Sequence, residues 1–147
     1  MKGDEMMSVK DVLEQYKDAI HERDIERFLS IYDPVVHIYD CWGKWECIGI
    51  ASWQESVTEW FIGLKADGEI LKVDFQDVVI EETKDLAFAH CAVTFAAHKE
   101  SSGEKLRQMT NRFTFCLEKV KDTWLIVHEH SSLPINMEDG KGMFGLR

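Results

Sequence analysis

The sequence predicts an α+β domain, with about three amino-terminal helices packed on one face of an antiparallel sheet. Two observations carry this. Apolar residues in the first half recur at three- and four-residue spacing, whereas the second half is built of four long stretches with strand-type alternation. Short polar breaks (Thr83-Lys84-Asp85, Ser101-Ser102-Gly103 and Lys121-Asp122) separate those stretches and read as hairpin turns.

The elements follow in order. Val9, Val12, Leu13, Tyr16 and Ile20 make one apolar stripe, with Ser8 at the N-cap position and Asp11 three residues on. "RDIERFLSIYDP" repeats the pattern through Ile25, Phe28, Leu29 and Tyr32, and Pro34 is expected to stop it. A short strand, residues 35–40, comes next. "GIASWQESVTEWFIGLKADG" is a third helix, burying Ile50, Trp53, Val57, Trp60 or Phe61, and Leu64. The strands are then "EILKVDFQDVVIEE", "LAFAHCAVTFAAHK", "KLRQMTNRFTFCLEKV" and "TWLIVHEHSSLP". With two prolines, Pro34 and Pro134, and no low-complexity linker, one domain is expected over residues 8–135, between a flexible start (1–7) and a loose tail (136–147).

Composition narrows the function. At 147 residues, with 45% hydrophobic and 11% aromatic residues, the chain is long enough for a single core. A net charge of −10 and a pI near 5.0 argue against nucleic acid or an anionic membrane as partner, since phosphates would be repelled. No apolar run is long enough to span a bilayer, and the amino terminus carries acids where a signal peptide needs its apolar segment. A cytoplasmic location with Cys41, Cys47, Cys91 and Cys116 reduced is the expectation, Cys91 and Cys116 serving as small core residues.

The chemistry sits in three places. In the strand from Met109, alternation puts Met109, Asn111, Phe113, Phe115 and Leu117 on one face and Thr110, Arg112, Thr114 and Cys116 on the other. An amide among aromatics is an unusual core choice unless something hydrogen-bonds to it. Asp40 shares the apolar side of its strand with Val36 and Ile38, yet the Cys-Trp-Gly that follows equally suits a turn-capping carboxylate. Tyr16 belongs to the helix-one stripe, as plain core or as a phenol at its rim. Together these would give a base and two donors facing an apolar pocket, where desolvation raises a carboxylate's pKa and makes it a better base. Tyr16 and Asn111 could then donate to an oxygen gaining negative charge.

His128 and His130 are expected on the strand face of Trp124 and Ile126, with Glu129 pointing the other way. They are candidate acid–base or pocket-lining groups, or structural histidines. A metal would need a third ligand such as His90 or His98, which no spacing enforces, so no metal site is assigned. Trp42, Trp45, Trp53 and Trp60 crowd one region, as core or as aromatic walls around a flat ligand.

The element order resembles the nuclear transport factor 2-like superfamily, in which helices close a curved sheet into a cone around one pocket. "WLIVHEHSSLP" is similar to the closing strand of its SnoaL-like branch, which includes the association domain of calcium/calmodulin-dependent protein kinase II. "YKDAIHERDIERFLSIYDPVVHIYDCWG" resembles, without a gap, the helices and first strand of ketosteroid isomerase, whose catalytic Tyr and Asp fall on Tyr16 and Asp40. The family's third group, a protonated Asp in an Asp-x-Phe-x-Phe strand, is replaced by Asn111 in "NRFTF", a weaker donor to a nascent enolate. Arg112 matches an Arg of the association domain's carboxylate-binding pocket.

What the resemblance implies is a small, apolar, oxygen-bearing ligand, proton abstraction beside a carbonyl, no cofactor, and a homodimer through the sheet face. The catalytic set would be Asp40, Tyr16 and Asn111, with His128 and His130 auxiliary. Trp42, Trp60, Phe61, Phe113, His90 and Arg112 would contact ligand. The alternatives are a non-catalytic ligand-binding or oligomerisation module, or a lyase of the scytalone dehydratase kind using the histidines.

Overall fold

The computed structural model describes residues 7–146. Helix α1 (Val9–Glu22) begins with a reciprocal cap: the Ser8 hydroxyl accepts from the Asp11 N–H at 3.1 Å, and the Asp11 carboxylate accepts from the Ser8 N–H at 3.0 Å. Ser8→Ala should therefore lower unfolding stability by about 1 kcal/mol, measured by urea denaturation, with secondary structure unchanged. The rest of the flexible start expected over residues 1–7 lies outside the described residues, apart from Met7, which packs against the core. The short α2 (Ile25–Leu29) is capped by Asp24 and sends Phe28 into the interior.

Helix α2 ends five residues before Pro34, not at it. Strand β1 (Tyr32–Tyr39) has already started, and Pro34 lies inside it. A proline has no N–H for a ladder, and the pairing of β1 is broken between Tyr32 and His37. After the short β2 (Cys47–Ile48), α3 (Ile50–Ala66) starts from Gly49, whose φ of 84° suits glycine. Four long strands follow: β3 (Glu69–Glu82), β4 (Leu86–Lys99), β5 (Lys105–Val120) and β6 (Thr123–Ser132). Lys121 and Asp122 both adopt left-handed φ (49° and 64°), closing the β5–β6 hairpin with the two-residue turn expected there.

One sheet results, in the order β2-β1-β6-β5-β4-β3. It is not wholly antiparallel, because β1 runs parallel to β6. Parallel neighbours need a long crossover, and here most of the chain separates the two strands. The helices cover one face, and Tyr16, Phe28, Phe61, Phe113 and Phe115 fill the space between. Pro134 is followed by a tight turn in which the Asn136 N–H donates to the Lys141 carbonyl at 2.8 Å. The segment expected as a loose tail thus carries local structure of its own, with Phe144 stacked on Trp42. Among the described residues no helix is long and apolar enough to cross a membrane.

Candidate functional site

Strand register brings the polar interior residues together. On the helix-covered face, Ile38, Glu129, Phe115 and Ala89 form one row across β1, β6, β5 and β4. The next row runs from Asp40, just past β1, through Ser131 and Phe113 to Cys91, and Asn111 lies opposite Val93 in the row beyond. Neighbouring strands are about 4.8 Å apart, so members of a row touch. Tyr16 descends from α1 onto this surface, with its ring 5.5 Å from Phe115 and 6.2 Å from Phe113.

Asp40 ends β1 with hydrogen-bond partners from β6 and from its own turn. Its Oδ1 accepts from the Ser131 hydroxyl at 3.1 Å, and that hydroxyl accepts in turn from the Cys41 N–H at 3.0 Å. The side chain is half-buried, and desolvation raises its pKa. The Ser131 hydroxyl and the backbone N–H groups of Cys41 and Trp42 oppose that rise. It caps its turn and also faces the interior. Asn111 is 4% exposed and joins the same corner, its Nδ2 donating to Cys41 Sγ at 3.3 Å. Its Oδ1 is buried without a partner. The Tyr16 phenol is raised well above its ordinary pKa, first by burial, then by the charges of Glu129 and Asp40.

The expected orientation of β6 is overturned. Val127 is an extra residue: Cys116 pairs with His128 while Leu117 pairs with Ile126. The bulge shifts the alternation by one. Trp124 and Ile126 point inward before it, and Glu129 and Ser131 after it. His128 and His130 therefore lie on the outer face, away from Asp40. The His128 Nδ1–H donates to the His37 carbonyl at 2.7 Å, and the Tyr39 ring is 4.8 Å from His37 and His128 and 5.3 Å from His130. Among the described residues no group of three His, Cys, Asp or Glu could hold a metal ion.

Glu129 is the residue that sequence reasoning missed. It is 3% exposed and accepts from the Tyr32 hydroxyl at 2.6 Å. Burial pushes its carboxyl up to about 8, with the neighbouring Asp40 adding to the rise and the Tyr32 bond opposing it. A bulge signal in the sequence would have been needed to find it, and "WLIVHEHSS" contains no glycine or proline to give one.

The ligand-contact set divides in the same way. Trp60, Phe61 and Phe113 pack in the interior, Trp60 and Phe61 against Phe28 and Phe113 against Tyr16. Trp42 is 51% exposed and Trp45 90%, because the loop after Asp40 turns outward. His90 stacks on Phe88, and Arg112 is exposed; both lie on the sheet's outer face, as alternation around Cys91 and Asn111 requires. Two surface depressions, of about 310 and 570 Å³, are lined by β3–β5 side chains and by α2 residues with Gln54, apart from Asp40 and Glu129.

A six-stranded sheet covered by helices, with carboxyl, phenol and amide groups inside, is an α+β architecture with the fold of NTF2-like proteins. The chain belongs to the SnoaL-like domain family, which matches residues 9–136. No curated protein matches it. Among solved structures, an NTF2-like protein of unknown function from Pseudomonas putida superposes with a TM-score of 0.78 at 19% identity, over 95% of this chain and 93% of that one. An NTF2-like superfamily protein from Salmonella enterica gives 0.68 at 19%, over 92% and 94%. A ketosteroid isomerase-like protein from Erwinia carotovora gives 0.65 at 17%, over 88% and 95%. At these identities the likeness is one of fold.

Proposed function

We propose that this protein binds a small, largely apolar, oxygen-bearing molecule at the inner face of the cone and moves a proton beside its carbonyl group. The observation that supports this is the chain of hydrogen bonds from Asp40 through Ser131 and Cys41 to Asn111, with the buried Tyr16 phenol near enough to feel the Asp40 charge. Asp40, with its raised pKa, is the base. Tyr16 and the Asn111 amide are the donors to the oxygen that gains charge. If the amide is turned, Oδ1 meets the Cys41 thiol and Nδ2 faces inward, since amide orientation follows from the hydrogen bonds available. His128 and His130 are left out of the set because they face outward, which also removes support from the histidine lyase. The outer face, where Leu86 and Phe88 are exposed, is the surface we assign to a homodimer.

The test is Asp40→Asn, assayed with a small β,γ-unsaturated cyclic ketone whose conjugated product absorbs in the ultraviolet. Isomerisation should fall by about 100-fold or more, the usual contribution of a general base. Equal rates for the native protein and the variant would overturn the reading. Because Asp40 also caps its turn, the rival of a binding module without turnover has its own signature in the same experiment: lost stability and no activity to lose.

A further inference from the structure

The depression of about 310 Å³ lies on the outer face of β3–β5, across the sheet from Asp40, and takes no part in the chemistry proposed above. Strand register explains why it is there. Three rows of side chains cross it: Asp74, Thr94 and Thr110; then Lys72, Ala96 and Gln108; then His98 and Lys105. The middle row has an alanine at its centre, so a methyl group lies between two long side chains whose strands are about 10 Å apart. The space above Ala96 is the depression. Two bulges bound it, one in β3 at Asp77 (φ 55°) and one in β5, where Leu106 is unmatched between Lys105 and Arg107. Bulges tighten the local twist and so curl the strands around this spot. The β5 bulge also shifts the alternation, so that Lys105 rather than Leu106 joins Gln108 around the depression.

The floor is buried although it belongs to the outer face. Thr94 and Thr110 are 8% and 6% exposed with their hydroxyls 2.7 Å apart, and Gln76 Nε2 donates to the Thr94 hydroxyl at 3.1 Å. The rim is charged. Among the described residues neither Lys72 nor Lys105 has a carboxylate partner, in a chain with 27 acidic residues against 17 basic ones. The Lys105 ammonium donates to the Gln108 side chain instead. Asp74 accepts from Gln76 through Oδ2 at 3.3 Å, which leaves Oδ1 open to a ligand. His98 closes one end, its ring fixed by the Nδ1–H bond to the Ala96 carbonyl at 3.2 Å.

We propose that this depression is a second binding site, which takes a small carboxylate bearing a hydroxyl group. The carboxylate lies over Ala96 between the ammonium groups of Lys72 and Lys105, and the hydroxyl donates to Asp74. Two cations and one anion along the rim match that bipolar ligand, whereas a neutral apolar molecule would cover three charges without pairing them. The volume is at the small end for ligand sites, which limits the occupant to a compact molecule. Lysines act as mobile point charges and accept many anions, so selectivity falls to the room over Ala96 and to Asp74. Phe88, on the surface assigned to the homodimer, is eight residues away along β4, roughly 26 Å, so dimer and ligand do not compete. The site stands independently of the role of Asp40.

The test is a nitrogen–proton NMR titration at constant ionic strength with malate and with succinate, the same dianion without the hydroxyl. Malate should move the amide signals of Ala96, His98 and Gln108 saturably, and should bind several-fold more tightly than succinate. Ala96→Leu fills the depression without changing any charge and should abolish the saturable shifts. Lys105→Met should weaken malate by about tenfold, the usual worth of a hydrogen bond to a charged group. Asp74→Asn should bind succinate more tightly and lose the preference for malate. Circular dichroism establishes that each variant is folded; should Ala96→Leu not fold, Lys105→Met decides. Shifts that never saturate and spread over the surface lysines overturn the site, as does a malate affinity unchanged in Ala96→Leu or Lys105→Met. Equal affinity of the native protein for malate and succinate, or inorganic phosphate binding as tightly as malate, overturns the hydroxycarboxylate as its ligand.

Discussion

Glu129→Gln should remove most of a stability loss that the native protein suffers between pH 5 and pH 9. The folded carboxyl titrates near 8 against an ordinary value of 4.5, because burial disfavours its charged form. Between those values the folded state holds a proton that the unfolded chain has released, so folding weakens as pH rises. The stability is fully present below about pH 4.5 and lost progressively up to about pH 8, by on the order of 4 kcal/mol at the alkaline end. Asp40 acts in the same direction, its pKa also being raised. Glutamine has nearly the same shape, still accepts from Tyr32 and has no charge to bury.

Urea denaturation at pH 5, 7 and 9 provides the measurement. At pH 5 the variant should lie within about 1 kcal/mol of the native protein, the cost of exchanging one buried acceptor for another. At pH 9 it should be the more stable of the two, by about 3 kcal/mol or more. A native stability that is flat across this range would mean that Glu129 ionises freely, and the account of a buried acid would fail.

The second large effect lies at Phe28. This side chain comes from a helix of five residues, is fully buried, and meets Tyr16, Tyr32, Trp53, Trp60 and Phe61 at centroid distances of 5.2 to 6.4 Å. Phe28→Ala should cost about 3–5 kcal/mol, from lost burial together with a cavity that five rigid rings cannot close. That is a large share of the about 5–15 kcal/mol that holds a domain of this size folded. The change should also loosen Tyr16 and Tyr32, which flank the carboxyls, so ligand affinity should drop even where the variant remains folded. Phe28→Leu keeps most of the apolar volume and should cost roughly 1–2 kcal/mol by the same urea measurement. Equal losses for the Ala and Leu variants would show that the ring contacts, rather than the volume, support this end of the core.

These two residues differ in how far the sequence alone exposes them. Phe28 is legible: it falls on the apolar stripe with Ile25 and Leu29, and helical spacing turns it inward. Glu129 is not. Counting by twos from Trp124 and Ile126 puts His128 and His130 inside and Glu129 outside, the reverse of the structure. The count fails at Val127, where β6 carries one residue that β5 does not match. A bulge is a property of two paired strands, and one strand read alone contains no trace of it. Asn111 and Arg112 were legible because no irregularity of pairing separates them from Phe113 and Phe115.

The sequence by itself determined the α+β class, the four long strands and their turns, the Ser8 cap, and the inward and outward phases of Tyr16, Asn111 and Arg112. These follow from periodicity and local hydrogen bonding, which act over a few residues. Only the tertiary structure decided that β1 lies parallel to β6, that Trp42 turns out toward Phe144, and that Asp40 meets Ser131 and Cys41 while Glu129 meets Tyr32. Those contacts join residues some 90 or more positions apart, except the Asp40–Cys41 turn itself. Which carboxyl is buried depends on the register between distant strands, and register is set where the whole sheet packs against its helices.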